Sequence, residues 1–163
     1  MVRTKSGLNV EVAKFNEKYR DDFERLNREW IDAFFTLEDA DRAIFADPEG
    51  KVVSPGGQIF FVLQDGEAIG TCALLKQDRD TFELAKMAVA ASARGKGYGD
   101  LLMKAAIDFA RGAGAKAIIL SSNTRLSPAI RLYEKHGFHS IPLVADERYH
   151  RVDLMMRLDL TQK

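Results

Sequence analysis

Between Asn16 and Phe35 the apolar residues Phe23, Leu26, Trp30 and Phe34 recur three and four positions apart, which predicts a helix with one apolar stripe. Before it, residues 8–15 alternate loosely and read as a first strand. A short second helix over residues 37–45 follows, stopped by Asp47-Pro48-Glu49-Gly50. Residues 52–57 contain Pro55-Gly56-Gly57 and read as a loop. Three strands come next: Gln58 to Gln64, Glu67 to Lys76 and Phe82 to Val89. Asp65-Gly66 is a tight-turn signal between the first two, and the polar run Gln77 to Asp80 turns into the third. The result is an antiparallel meander. Strict alternation in its last strand puts Glu83, Ala85, Met87 and Val89 on one face, and Phe82, Leu84, Lys86 and Ala88 on the other.

The texture then changes. Residues 90–97 are small and glycine-rich, and Tyr98 to Ala113 has helical periodicity through Leu101, Leu102, Ala105, Ile107 and Phe109. Gly112 and Gly114 end that helix. Ala117 to Ser121 is a short apolar strand. Ser127-Pro128 opens another helix, with Ser127 as its cap, and Gly137 closes it. Phe138 to Ile141 and Arg151 to Asp159 read as closing strands. The order β-α-α-β-β-β-α-β-α-β-β predicts an α/β (mixed α+β) domain with a central mixed sheet flanked by helices. A single domain over residues 1–163 is expected.

Composition narrows the function classes. A hydrophobic fraction of 46% supports a core without covalent staples. Twenty-four basic side chains balance twenty-four acidic ones, so nothing in the overall charge calls for nucleic acid or an anionic membrane. The single Cys72 excludes an intrachain disulfide and a cysteine-rich zinc site, and suits a reducing cytoplasm. Cys72 itself reads as a small core residue. His136, His139 and His150 form no ligand pattern, so no metal is expected. No run approaches the roughly 20 apolar residues of a membrane span, and the first five residues do not lead into a signal-type apolar run. A cytoplasmic location is the expectation.

The chemistry points to Arg94-Gly95-Lys96-Gly97-Tyr98-Gly99, between a strand and a helix. Its three glycines permit a sharp turn and close approach of a ligand to the backbone. The helix start beyond it offers unpaired amides, and Arg94 and Lys96 add charge, which suits phosphate. A P-loop fails because Gly97 follows Lys96 where Ser or Thr is needed. A Rossmann fingerprint fails on glycine spacing and on the antiparallel strands upstream. A coenzyme A pyrophosphate site and a plain turn before a helix remain.

The same segment resembles the signature of the GNAT N-acetyltransferase superfamily, [RQ]-x-x-G-x-[GA], through Arg94-x-x-Gly97-x-Gly99. Ala129-Ile130-Arg131-Leu132-Tyr133-Glu134-Lys135-His136-Gly137-Phe138 looks like the family's A-x-x-x-Y-x-x-x-G-F segment, and Glu83 to Val89 resembles its central strand. The likeness covers about residues 60–141. "ELAKMAV" and "SNTRLSPAIRLY" are also similar to the acetyltransferase halves of some bacterial proteins fused to helix-turn-helix regulators, although no DNA-binding half is present in this sequence.

The resemblance implies an acyl-CoA N-acyltransferase fold with a mostly antiparallel sheet, acetyl-CoA as cosubstrate and an amine as acceptor, more readily a small molecule than a protein. It implies that the backbone of Met87, Ala88 and Val89 lies along the pantetheine arm, with an N–H near Met87 or Ala88 polarising the acetyl carbonyl. The amides of Arg94, Gly95, Lys96, Gly97, Tyr98 and Gly99 would hold the pyrophosphate, and Ala129 lies in the matched segment next to it. Tyr133 takes the place of the acid that protonates the departing thiolate, and Glu83 that of the base for the amine. A buried Glu83 paired with an arginine or lysine is the competing structural reading. Where the family often has a cofactor-contacting asparagine, this chain has Leu126, and Asn123 is the substitute. Trp30, Phe34 and Phe35 belong either to the core stripe or to the acceptor pocket. The fold is often homodimeric through its C-terminal strands. A non-catalytic acyl-CoA sensor, and more distantly a nucleotide-binding enzyme, are the alternatives.

Overall fold

The computed structural model describes residues 2–3 and 9–160. One eight-stranded sheet runs through it in the order β1-β2-β3-β4-β5-β6-β8-β7. Strands β1 (Val2–Arg3), β2 (Asn9–Lys14), β3 (Gln58–Gln64), β4 (Glu67–Lys76) and β5 (Thr81–Val89) pair antiparallel in sequence order. β6 (Ala117–Ser122) adds parallel to β5, and β8 (Leu154–Asp159) and the edge strand β7 (His139–Ile141) complete the sheet antiparallel. The mixed, mostly antiparallel sheet is the one expected. Asp65 and Gly66 both take left-handed φ, 50° and 84°, at the turn between β3 and β4.

Helices cover both faces. α3 (Tyr98–Gly112) and α4 (Ser127–Lys135) pack on one side, and α1 (Arg20–Phe34) and α2 (Asp39–Ala46) on the other. β3 therefore has no polar face: Phe60 and Val62 enter the core under α3, while Ile59, Phe61 and Leu63 enter the core under α1 and α2. A strand buried on both faces reads as a continuous apolar run, as this one does.

Several details differ from the sequence reading. The buried face of α1 is Phe23, Leu26, Asn27 and Ile31, with Phe34 exposed. Asn27 is tolerated there because its amide donates to the Phe23 carbonyl (3.0 Å) and accepts from Trp30 Nε1 (3.0 Å). Part of the expected loop at residues 52–57 belongs to a π-helical turn, Glu49–Val53, with Val52 buried. Ser127 lies inside α4 rather than capping it; Leu126 holds the cap position, with no side-chain cap bond. The last strand starts at Leu154, so Arg151 belongs to the connection before it. Leu8 lies outside the described residues.

Phe61 is fully buried and its ring meets Tyr19 at 5.1 Å. Phe61→Ala is expected to lower the unfolding free energy by about 3–5 kcal/mol, read from urea denaturation.

Candidate active site

β5 and β6 pair only over Thr81–Glu83 and Ala117–Ile119. Beyond those three pairs β6 stays with β8, and β5 stays with β4. Residues 84–89 of β5 thus have no strand partner on the β6 side, and their backbone groups directed there face a cavity of about 470 Å³. Its lining includes Met87, Ala88 and Val89 from β5, the glycine loop, and Leu126, Ala129, Leu132 and Tyr133 from the α4 segment.

The glycine loop closes one end of the cavity. Gly97 caps α3 with φ 83°, a conformation that disfavours any side chain. Gly99 serves closeness instead: a Cβ there would meet Leu132 Cδ2 at 2.9 Å, so its absence lets α3 and α4 touch. Gly97 has no side chain to cap α3, which leaves its first-turn amides free to receive an anion. Asp100, in that turn, would oppose an anion. It is countered by hydrogen bonds from His136 Nε2 (2.7 Å) and Lys135 Nζ (3.1 Å), which hold its carboxyl below the usual range. Arg94 and Gly95 line the cavity, and Lys96 does not. The Tyr98 side chain is held away from the first-turn amides, its ring buried and its hydroxyl donating to Gln64 (2.9 Å).

The central strand departs from simple alternation. Ala73 pairs with Ala85 and Thr71 with Ala88, so one residue of β4, Cys72, opposes two of β5, Lys86 and Met87. The extra residue is a β-bulge at Lys86, whose φ is 55°. The bulge restarts the alternation: Met87 and Val89 pack toward the α3 core, and Lys86 turns to the side of α2. Glu83 and Lys86, expected on opposite faces, therefore share one. Lys86 Nζ donates to Asp41 Oδ1 at 2.6 Å and to Tyr149 Oη at 3.1 Å, and lies 4.4 Å from the Tyr149 ring centre. Arg151 grips the same Asp41 through two bonds of 2.6 and 2.8 Å and also reaches Glu38.

Burial alone would raise the Asp41 carboxyl. The Arg151 hydrogen bonds, followed by the charge and hydrogen bond of Lys86, outweigh it and hold the group at about 2. Burial pulls Lys86 down to about 8 against the opposing attraction of Asp41. Lys86, Tyr149 and Arg151 all line the cavity. Sequence reading passed over Asp41, Lys86, Tyr149 and Arg151. Only Lys86, a lysine within an apolar strand, carried a signal of its own.

Glu83 is 4% exposed and lines the cavity where β5 and β6 part. Arg148 donates to both its oxygens (3.0 and 2.7 Å) and Gln77 adds a third bond (3.2 Å). The Glu83 hydrogen bonds, ahead of those of Asp146, raise the Arg148 guanidinium above its ordinary value. Tyr133 is buried in the cavity wall with its ring against Phe138 (5.9 Å); burial, then the nearby Cys72, raises its phenol. Asn123 lines the cavity too, but its amide is engaged: Nδ2 donates to the Arg151 carbonyl (2.7 Å) and Oδ1 accepts from the Arg125 amide (2.8 Å). Trp30 and Phe34 line the cavity, and Phe35 does not.

Residues 12–138 match the model of the Acetyltransferase (GNAT) family. The chain belongs to that family. Among curated relatives, this GNAT protein is 31% identical to the N-acetylaspartate synthetase of Rattus norvegicus over 140 residues, covering 74% of this chain and 47% of that one. The Danio rerio protein of the same name is 33% identical, with coverage of 59% and 35%, so the chain spans a third to a half of these synthetases. An N-acetyltransferase of Schizosaccharomyces pombe is 30% identical and covers 82% of this chain and 83% of that one. Among solved structures, a GNAT-family acetyltransferase from Staphylococcus aureus superposes with a TM-score of 0.86 at 17% identity, covering 94% of this chain and all of that one. Salmonella typhimurium yncA, a putative acetyltransferase with its cofactor acetyl-CoA, reaches 0.73 at 20% identity, with coverage of 95% and 96%. These structures share the fold.

Replacing Asp41 by Asn would leave Lys86 and Arg151 buried against a neutral amide. Asp41→Asn is expected to cost about 3–5 kcal/mol of stability in chemical denaturation. In the parent protein the unfolded aspartate takes up a proton near pH 3.9 and the folded one near 2. The contribution of this carboxylate is therefore whole above about pH 4 and disappears as pH falls through about 2. Acid titration followed by circular dichroism should show about 2 kcal/mol lost over that window, and the loss should be absent in Asp41→Asn.

Proposed function

We propose that this GNAT protein transfers an acetyl group from acetyl-CoA to the amine of a small molecule by direct attack in a ternary complex. The observation that carries the reading is the notch between β5 and β6, which presents unpaired strand backbone beside the glycine loop and Tyr133. An extended pantetheine arm would add to β5 as another strand does, and its pyrophosphate would lie on the amides before α3. A backbone N–H at Met87 or Ala88 would face the acetyl oxygen. The N-acetylaspartate synthetases, whose named product is a small acylated amino acid, support a small acceptor over a protein. The acetyl-CoA cofactor of yncA supports the cosubstrate.

In the proposed reaction the neutral amine attacks the thioester carbonyl, the carbon–sulfur bond breaks, and coenzyme A leaves as thiol. The proton lost from nitrogen balances the one taken up by the departing sulfur, passing between them through water. A phenol held above its usual value of about 10 stays protonated at neutral pH. Complete transfer from it to a thiolate, whose thiol titrates near 8.5, is uphill. Tyr133 therefore acts chiefly by donating a hydrogen bond to the departing sulfur. Glu83 is assigned as the proton acceptor, reached through water, because Arg148 already engages both its oxygens.

Calorimetric titration should show saturable binding of acetyl-CoA, with ATP and NAD giving none; no binding by folded protein would end the reading. Tyr133→Phe is expected to lower kcat about 100-fold while leaving the acetyl-CoA affinity within twofold. Glu83→Gln should also lower kcat about 100-fold. An unchanged kcat with a lowered Tm would make Glu83 the anchor of Arg148 alone.

A further inference from the structure

Four cations line the cavity among the described residues, and three have acidic partners. Lys86 and Arg151 share Asp41, and Arg94 lies 3.4 Å from Glu29. Arg125 has no carboxylate within ion-pairing distance among the described residues, although it borders the same space. Its surroundings hold it in place nonetheless. Nη1 donates to the Phe34 carbonyl at 3.0 Å, at the end of α1, a helix with no basic residue in its last turn. The guanidinium also lies 6.0 Å from the Phe34 ring centre and 5.4 Å from that of Phe35. One of five N–H groups is thus fixed by the helix end, the plane is oriented by two aromatic rings, and the remaining donors have no partner among the described residues.

The position along α1 separates this charge from the cofactor end. Glu29 ties α1 to the glycine-loop end through Ala91 N (2.9 Å) and Arg94. Phe34, five residues later, holds Arg125, roughly 7.5 Å further along the helix axis at 1.5 Å per residue. An acceptor between Arg125 and the β5 bulge would lie against Trp30 and Phe34.

We propose that Arg125 anchors a carboxylate of the acceptor, so that the acceptor is an amino-acid-like molecule carrying both an amine and a carboxylate. This deepens the acetyltransferase reading and rests on it. An unpaired, oriented guanidinium favours a planar anion that it can grip with two parallel hydrogen bonds. The carboxylate supplies that anion, and the amine at the other end reaches the thioester. A polyamine would bring positive charge to Arg125 and be repelled.

The test uses the intact protein with acetyl-CoA and the common L-amino acids as probes. Each is compared with analogues in which a carboxylate is replaced by a carboxamide or removed. The expected result is transfer to at least one amino acid, with kcat/KM falling about 10- to 100-fold when the recognised carboxylate is neutralised. Arg125→Gln should raise KM for that acid by a similar factor, leave the acetyl-CoA affinity unchanged, and abolish the preference for acid over amide. Arg125→Lys, which keeps the charge without the planar fork, should recover part of it. Equal turnover of acid and amide by the parent protein overturns the proposal and leaves the acetyltransferase reading standing, as does an acid-to-amide ratio that Arg125→Gln does not change. No transfer to any amine, with acetyl-CoA bound, overturns both.

Discussion

Asp41 is a carboxylate with no exposed surface, placed between Lys86 on the central strand and Arg151 on the connection between β7 and β8. An ionised group in that setting is tolerable only while both cations hold it. The three elements that meet there cannot separate without stranding a charge. α2, the β5 bulge and the connection that carries Arg148, Tyr149 and Arg151 are thereby fixed relative to one another, and the bulge and the connection line the cavity through Lys86, Tyr149 and Arg151. The left-handed φ of Lys86 costs on the order of 1–3 kcal/mol by itself. The charged hydrogen bonds at its far end offset that cost and keep the bulge where the cavity needs it.

The bulge and the parting of β5 from β6 act together. Parallel pairing stops after Glu83, and the backbone that would have bonded β6 becomes the floor of a notch. The glycine loop then delivers the start of α3 to one end of the notch, and α4 leans in close enough to bring Tyr133 into the wall because Gly99 has no side chain. An extended ligand with an anionic end matches a slot of this shape: strand-like hydrogen bonding along its length and helix amides at its end.

The connection before β8 contributes more to the site than its irregular backbone suggests. Arg148 engages Glu83, Tyr149 accepts from Lys86, His150 N donates to Glu38, and Arg151 reaches Asp41. Arg148 and Tyr149 therefore lock this stretch to β5, and His150 and Arg151 lock it to α2 and its cap. Among the described residues the Arg125 guanidinium, by contrast, donates only to a helix carbonyl, which leaves its charge available within a cavity whose other cations are neutralised.

The longer strands, the four helices and the Arg94–Gly99 turn could be read directly from the chain, because periodicity and turn chemistry are local properties. Gly97, Gly99 and Tyr133 could be named through the resemblance of their segments to the family, and all three line the cavity. The buried face of α1 was misread because Asn27 is satisfied by its own helix, which no hydrophobic pattern records. The face of Lys86 was misread because a bulge adds one residue and inverts everything after it, and its cause, Asp41, lies 45 positions upstream. Arg151, 110 positions from Asp41, looked like strand. The sequence by itself determined the order of elements and the glycine turn that receives the helix start, since these follow from neighbours along the chain. Which charges are paired, which strand is bulged and which cation is left free were decided only by tertiary structure, because a buried charge takes its partner from whatever the fold brings within 3 Å.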